Sequence, residues 1–183
     1  MHFTPAAITL KDGRTAILRS PDPQADAADL VQYLYDTAAD TPFVLRTPEE
    51  IRYTVEGEER FLQNVVDSPN DCMILCEVDG HIAGNCHIAF NTRIKTRHTC
   101  TVAIALRKAY WRLGIGTAMF NAMESLARQR DGVLQMELEF IEGNTRARAL
   151  YEKVGFRIVG MRPDAIQQED GTMCALIAMQ KKL

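Results

Sequence analysis

Gly114-Ile115-Gly116 is the stretch of this chain best suited to chemistry by residue type and spacing. Before it runs a short, apolar, β-branched segment, Cys100 to Leu106, which reads as a buried strand. After it, apolar residues recur at Ile115, Ala118, Met119, Ala122, Met123, Leu126 and Ala127, the spacing of an amphipathic helix. A strand, a glycine turn and a helix start together make an anion site. The first N–H groups of a helix have no partner inside it, and the helix dipole adds about half a positive charge there. Glycine lets the backbone approach a phosphate with no Cβ in the way. Two familiar phosphate loops are excluded by spelling. A Walker A loop needs Lys and then Ser or Thr after its last glycine, and Gly116 is followed by Thr117 and Ala118. A dinucleotide fingerprint needs a third glycine where Met119 stands.

The elements that must position this loop can be read around it. Ile8 to Arg19 is expected to be a β-hairpin turning at Asp12-Gly13. Ser20-Pro21-Asp22-Pro23 breaks it and starts a helix with Leu30, Val31, Leu34 and Tyr35 as its apolar stripe. Thr47-Pro48-Glu49-Glu50 spells a capping box, which predicts a second helix running to about Val66. Cys72 to Val78 and His81 to Asn91 read as strands around an Asp79-Gly80 turn, and Arg93 to His98 as a basic exposed turn. The strand entering the glycine loop spans Arg97 to Leu106, and the helix after the loop ends near Asp131-Gly132. Val133 to Ile141 alternates like a strand, Thr145 to Val154 is a short helix stopped by Gly155, and Phe156 to Met161 and Met173 to Met179 close the chain as strands. This order predicts an α/β fold: a sheet mixed in direction, with helices on its faces.

A second signature lies 28 residues after Gly116, one helix and one strand further on. Asn144-Thr-Arg-Ala147-Arg-Ala-Leu150-Tyr151-Glu-Lys153-Val-Gly155-Phe156 resembles the N-x-x-A-x-x-L-Y-x-K-x-G-F signature of the GNAT superfamily of acetyl-CoA-dependent N-acetyltransferases. Tyr-Trp-Arg-Leu-Gly-Ile-Gly-Thr likewise resembles that family's pyrophosphate loop, written Q/R-x-x-G-x-G/A, with Trp111 in place of the leading Gln or Arg. The resemblance covers essentially the whole chain. It implies a single domain over residues 1–183 with a mixed, mostly antiparallel twisted sheet, whose strands splay apart to form the CoA cleft.

The resemblance also implies roles. Pantetheine would pair with backbone groups of the strand around Ile104 to Leu106, and pyrophosphate would rest on the amides of Trp111, Arg112, Leu113, Gly114, Gly116 and Thr117. Asn144 would bond the cofactor's amide chain or an ordered water. Tyr151 would be the general acid, its hydroxyl facing the sulfur. The implied reaction moves an acetyl group from acetyl-CoA to a primary amine of a small molecule, peptide or protein; the alternative is a silent GNAT-fold module that binds acyl-CoA or regulates. An alkyl amine has a pKa near 10 and must lose a proton to react. Family members often carry a glutamate on the strand before the loop, and Cys100 to Leu106 has none; Glu137, Glu139, His98 and Asp40 are the candidates for a base.

Composition sets the outer limits. A hydrophobic content of 46% and a charged content of 25% suit an ordinary folded domain. The net charge of −3 gives no case for nucleic acid or an acidic membrane, and no apolar run is long enough to span a bilayer. Cys72, Cys76, Cys86, Cys100 and Cys174 include no C-x-x-C pair and read as reduced core thiols of a cytoplasmic protein, with no metal site. A homodimer is compatible with all of this. Charge is uneven: Arg93 to Arg130 carries eight Lys or Arg against one Glu, with Arg107, Lys108 and Arg112 placed to meet a polyanionic cofactor. Asp36 to Asp67 carries eight acids against three Arg, which would favour a cationic acceptor.

Overall fold

The computed structural model describes all of residues 1–183. Its strands are β1 (Ala6–Thr9), β2 (Thr15–Arg19), β3 (Asp71–Val78), β4 (His81–Phe90), β5 (Thr99–Leu106), β6 (Gln135–Ile141), β7 (Arg157–Gln167) and β8 (Met173–Lys182). Its helices are α1 (Pro23–Asp40), α2 (Val55–Asp67), α3 (Ile115–Gln129) and α4 (Thr145–Lys153). The strands hydrogen-bond in the order β1-β2-β3-β4-β5-β6-β8-β7. The mixed sheet expected from the element order is present, and it is mostly antiparallel, as the resemblance implies. The chain groups into two compact units, Met1–Ala89 with Ala103–Met119, and Phe90–Val102 with Phe120–Leu183.

In the first unit, β1, β2, β3 and β4 pair antiparallel in sequence order. Helix α1 starts where Asp22 accepts from the amides of Gln24 and Ala25, each at 3.1 Å, with Pro23 pre-set for the first turn. Its inner stripe, Ala27, Leu30 and Tyr33, meets Leu62 and Val65 of α2 and Met73, Leu75 and Ile82 of the sheet in one apolar cluster. Each large side chain withdrawn from water there contributes about 2 kcal/mol.

The second helix departs from expectation. The capping box at Thr47 and Glu50 forms, but it closes only a single 3₁₀ turn, Pro48–Glu50. The helix starts again at Val55, where Thr54 accepts from the amide of Gly57. Between the two caps lies Ile51-Arg52-Tyr53-Thr54, whose β-branched and aromatic residues disfavour a helix, so the later cap takes over.

In the second unit, β5 and β6 run parallel over three residue pairs, Thr99–Gln135 to Thr101–Glu137, whereas β6 and β8 pair antiparallel over seven. Strands β7 and β8 are longer than read from the sequence. β7 passes through Pro163 and the left-handed Asp164 (φ 49°) by a register shift between Arg162 and Ile166. Pro-Asp looks like a strand breaker, but β7 is an edge strand, where a missing donor leaves no ladder bond unmade. All five cysteines are free, four of them buried.

Candidate active site

Strand β5 ends in a segment tied down on one side. The amide of Arg107 donates to the Ala83 carbonyl at 3.0 Å, so the next antiparallel pair along should join Asn85 to Ala105 directly. Instead the Tyr33 hydroxyl stands between them. It accepts from the Asn85 amide at 3.3 Å and donates to the Ala105 carbonyl at 2.9 Å. Gly84 makes room beside this break: a Cβ there would lie 2.8 Å from the Ala105 oxygen and 2.1 Å from the Leu106 side chain. Because backbone groups alternate sides along a strand, those of Ile104 and Leu106 point away from β4, as their expected role requires. The Leu106 carbonyl accepts from Trp111 Nε1 at 2.8 Å. The tryptophan that replaces the family's Gln or Arg therefore folds the loop back onto the strand.

Arg107 fixes this end of β5 to α1 and β4. Its guanidinium donates to Asp36 at 3.0 Å, to Asp29 at 2.9 Å and to the Ile82 carbonyl at 2.7 Å, and it lies over the Tyr33 ring. Arg107 is thus spent within the fold, which corrects the expectation that it meets phosphates. Asp40 is spent too. It is the last residue of α1, and its carboxylate accepts from the Lys108 amide at 2.7 Å.

The loop itself turns through two left-handed residues, Arg112 (φ 65°) and Gly114 (φ 97°), and the Leu113 carbonyl accepts from the Lys11 amide at 3.1 Å. The first bond of α3 runs from the Ala118 amide to the Gly114 carbonyl, so the amides of Ile115 and Gly116 donate nothing within the helix. A Cβ on Gly114 would project into open space. The bare backbone thus faces open space at a helix start, and free amides so placed suit a diphosphate. Gly116 is buried in the first turn of α3, and Thr117 follows it, half-buried. Arg112 is exposed.

Asn144 and Tyr151 are held by α4 in the other unit. Asn144 caps the helix, its Oδ1 accepting from the Ala147 amide at 3.1 Å, which leaves both Nδ2 hydrogens for a ligand. Past the helix, the Gly155 amide bonds the Glu152 carbonyl and the Phe156 amide bonds the Tyr151 carbonyl, with Gly155 left-handed at φ 97°. This pair of bonds, with the Tyr151 and Phe156 rings 6.4 Å apart, is the helix stop that fixes where Tyr151 sits. The landmark residues Tyr151, Gly155 and Phe156 are thus linked by local geometry. Phe120 and Phe140 pack edge-on against the Tyr151 ring at 5.5 and 5.8 Å. Burial pushes the Tyr151 phenol up to about 12, keeping it protonated, and its hydroxyl meets no protein donor or acceptor.

Among the expected bases, Glu137 accepts from Gln135 and Gln180, Glu139 is exposed, and His98 is half-buried. A carboxylate the sequence reading missed is Glu58, 6% exposed on α2. Its signal was legible in part: Glu58, Leu62 and Val65 fall on one helical stripe, a carboxylate where the pattern wants an apolar residue.

Residues 31–156 match the model of the acetyltransferase (GNAT) family. The chain belongs to that family. A protein of Bacillus subtilis (strain 168) assigned as a ribosomal protein bS18-alanine N-acetyltransferase is 27% identical over 105 residues, 57% of this GNAT chain and just under two thirds of the relative. An acetyltransferase of the GNAT family from Streptococcus pneumoniae superposes with a TM-score of 0.84 at 28% identity, over 92% of this chain and 99% of that one. The yncA acetyltransferase of Salmonella typhimurium, solved with its cofactor acetyl-CoA, shares the fold at a TM-score of 0.76 and 17% identity, over 91% and 92%. No helix of this GNAT protein is long and apolar enough to cross a membrane.

Proposed function

We propose that this GNAT protein is an N-acetyltransferase that moves the acetyl group of acetyl-CoA to a primary amine, with the amino end of a peptide or protein as the favoured acceptor. Acetyl-CoA supplies an activated acetyl thioester. The open backbone at Arg112 to Gly116 is suited to its diphosphate, and Ile104 and Leu106 offer strand-edge groups to its pantetheine arm. Thr117 completes the helix start, and the Nδ2 of Asn144 is the group left for a ligand on α4.

The observation that carries this reading is Tyr151. A phenol with an unpartnered hydroxyl, held by the helix stop that the signature encodes, is equipped to donate a proton to a departing thiolate. A purely structural tyrosine so buried would bond its hydroxyl within the protein, as Tyr33 does. The peptide class of acceptor is favoured by the relative assigned to ribosomal protein alanine.

Thiol release from acetyl-CoA across a panel of free-amine peptides and small amines tests the reading. Release with at least one amine is expected. Binding of acetyl-CoA by calorimetry with no release from any amine would leave only the silent module. Gly116→Val, which forces two methyls into the first turn of α3, should cost at least tenfold in acetyl-CoA affinity while circular dichroism stays native. Unchanged affinity would remove the loop from the binding site.

A further inference from the structure

Glu58 is a carboxylate without a counterpart. It is 6% exposed, yet nothing in the protein donates a hydrogen bond to it or forms an ion pair with it. Its oxygens are nevertheless not sealed in, since no fully enclosed side-chain polar atom lacks a partner. The group is therefore nearly covered, yet its oxygens keep some access to solvent. Arg46, which lies over the Tyr53 ring at 5.4 Å, is a nearby positive charge that offsets part of the cost of its burial.

The surroundings on α2 are unusual in the same way. One turn towards the C-terminus, Leu62 enters the core at 0% exposure. Three residues to either side, Val55 and Phe61 are 38% and 49% exposed, and Tyr53 just before the helix is 41% exposed. Residues three apart share a helix face, so exposed apolar side chains flank the buried carboxylate along α2. A buried charge with no partner is costly, and an apolar residue of similar volume would remove that cost. A ligand bearing an ammonium and an apolar body would fit both halves of the arrangement.

We propose that Glu58 is the seat of the acceptor amine, holding its ammonium and accepting the proton that the nitrogen must lose, with Val55, Phe61 and Tyr53 receiving an apolar group next to that amine. This rests on the acetyltransferase reading above. The balance is complete. One N–H bond of the ammonium breaks and its proton goes to a Glu58 oxygen. The freed lone pair forms the C–N bond to the acetyl carbon as the C–S bond breaks. The thiolate takes the Tyr151 proton, the second nitrogen proton restores Tyr151 through solvent, and Glu58 releases its proton to water. The chemistry also selects the amine. An α-amine has a pKa near 8 and a lysine amine near 10.4, so a carboxylate can deprotonate the first far more readily. The acceptor is therefore the α-amine of an apolar residue at a chain end.

The test uses the full chain and two probes, leucine amide and N-acetylleucine amide. Carbon-detected NMR of carboxyl-labelled protein should show the Glu58 signal, identified by its absence in Glu58→Gln, moving with leucine amide and not with its acetylated form. With acetyl-CoA saturating, Glu58→Gln should raise KM for leucine amide at least tenfold and lower kcat, acetyl-CoA affinity staying within twofold, and Glu58→Asp should recover part of the loss. A Glu58 signal indifferent to leucine amide overturns the proposal, whether or not Glu58→Gln loses activity, because loss without a response means a structural role. Kinetics of Glu58→Gln within twofold of wild type also overturn it, and the acetyltransferase reading survives. A responding signal with no thiol release by the wild type would do the reverse: the amine seat stands and the acetyltransferase reading falls.

Discussion

Asp26 and Glu58 occupy the same position in two different helices. Each is the fourth residue of its helix, in the first turn, and each is almost fully buried, at 5% and 6% exposure. The helix dipole favours both anions alike. Their company is opposite. Asp26 receives two bonds from Arg19, each at 2.7 Å, and one from the Asp22 amide at 2.7 Å, while Arg19 is held from the other side by Glu77. Glu58 receives none. A buried charge that exists for stability is surrounded by donors, as at Asp26. One left open is worth its cost only if something else supplies the partner. The two buried tyrosines repeat the contrast: Tyr33 has its hydroxyl bonded into the β4–β5 ladder, and Tyr151 has its hydroxyl free.

The largest effect should come from breaking the paired member. Asp26→Asn leaves Arg19 partly buried against a neutral amide, and removal of one partner of a buried pair costs about 3 kcal/mol. Urea unfolding should show that loss at neutral pH. A change below about 1 kcal/mol would mean that Asp26 is no better satisfied than Glu58, and the comparison would fail at its stable end.

Next is Tyr151→Phe, which keeps the ring among Phe120, Phe140 and Phe156 and removes only the hydroxyl. Turnover should fall by roughly 10²-fold with acetyl-CoA affinity and stability nearly unchanged. The matching change at the other tyrosine should act the other way round. Tyr33→Phe leaves the Ala105 carbonyl and the Asn85 amide without the group that bridges them, so stability should drop by about 1–2 kcal/mol. Equal stability losses in the two variants, from thermal unfolding, would erase the distinction between a structural and a reactive phenol.

How much of this could be read from the residues follows from range. The glycine loop and the Asn144 to Phe156 signature were legible because cap, helix, tyrosine and stop are bonded within a dozen residues of one another. Local chemistry also reveals the Thr47 cap, but two caps compete there, and the weak helix propensity of Ile51 to Thr54, which favours the later one, is a small signal beside a complete capping box. The insertion of Tyr33 between Asn85 and Ala105, and the clamping of Arg107 by Asp29 and Asp36, join residues 52 to 78 apart in the chain. Nothing in the spelling marks them. For the same reason the residues alone offer Asp40 as a candidate base, when it is a partner for the Lys108 amide. Glu58 lay between these cases: periodicity shows that it faces inward, and only the folded chain shows that no donor meets it.

The smallest effect, and the sharpest for the comparison, is at Glu58. Burial raises its pKa above the usual carboxylate value, with Arg46 offsetting part of the rise. The sign follows from linkage. Well below the unfolded pKa both states carry the proton and Glu58 contributes no difference. As pH rises, the unfolded chain ionises first and gains free energy that the folded chain does not, so Glu58 destabilises the fold increasingly until its own folded pKa is passed, and by a constant amount above that. Glu58→Gln should therefore be more stable than wild type by about 1 kcal/mol at pH 7.5, the scale of an unsatisfied buried polar group. That gain should shrink towards zero near pH 4. Asp26→Asn has the opposite sign at pH 7.5, because it breaks the pair with Arg19. Urea unfolding of wild type and Glu58→Gln at both pH values decides the matter. A Gln variant less stable than wild type at pH 7.5 would show that the Glu58 carboxylate has a partner in the folded protein, and the contrast with Asp26 would be gone.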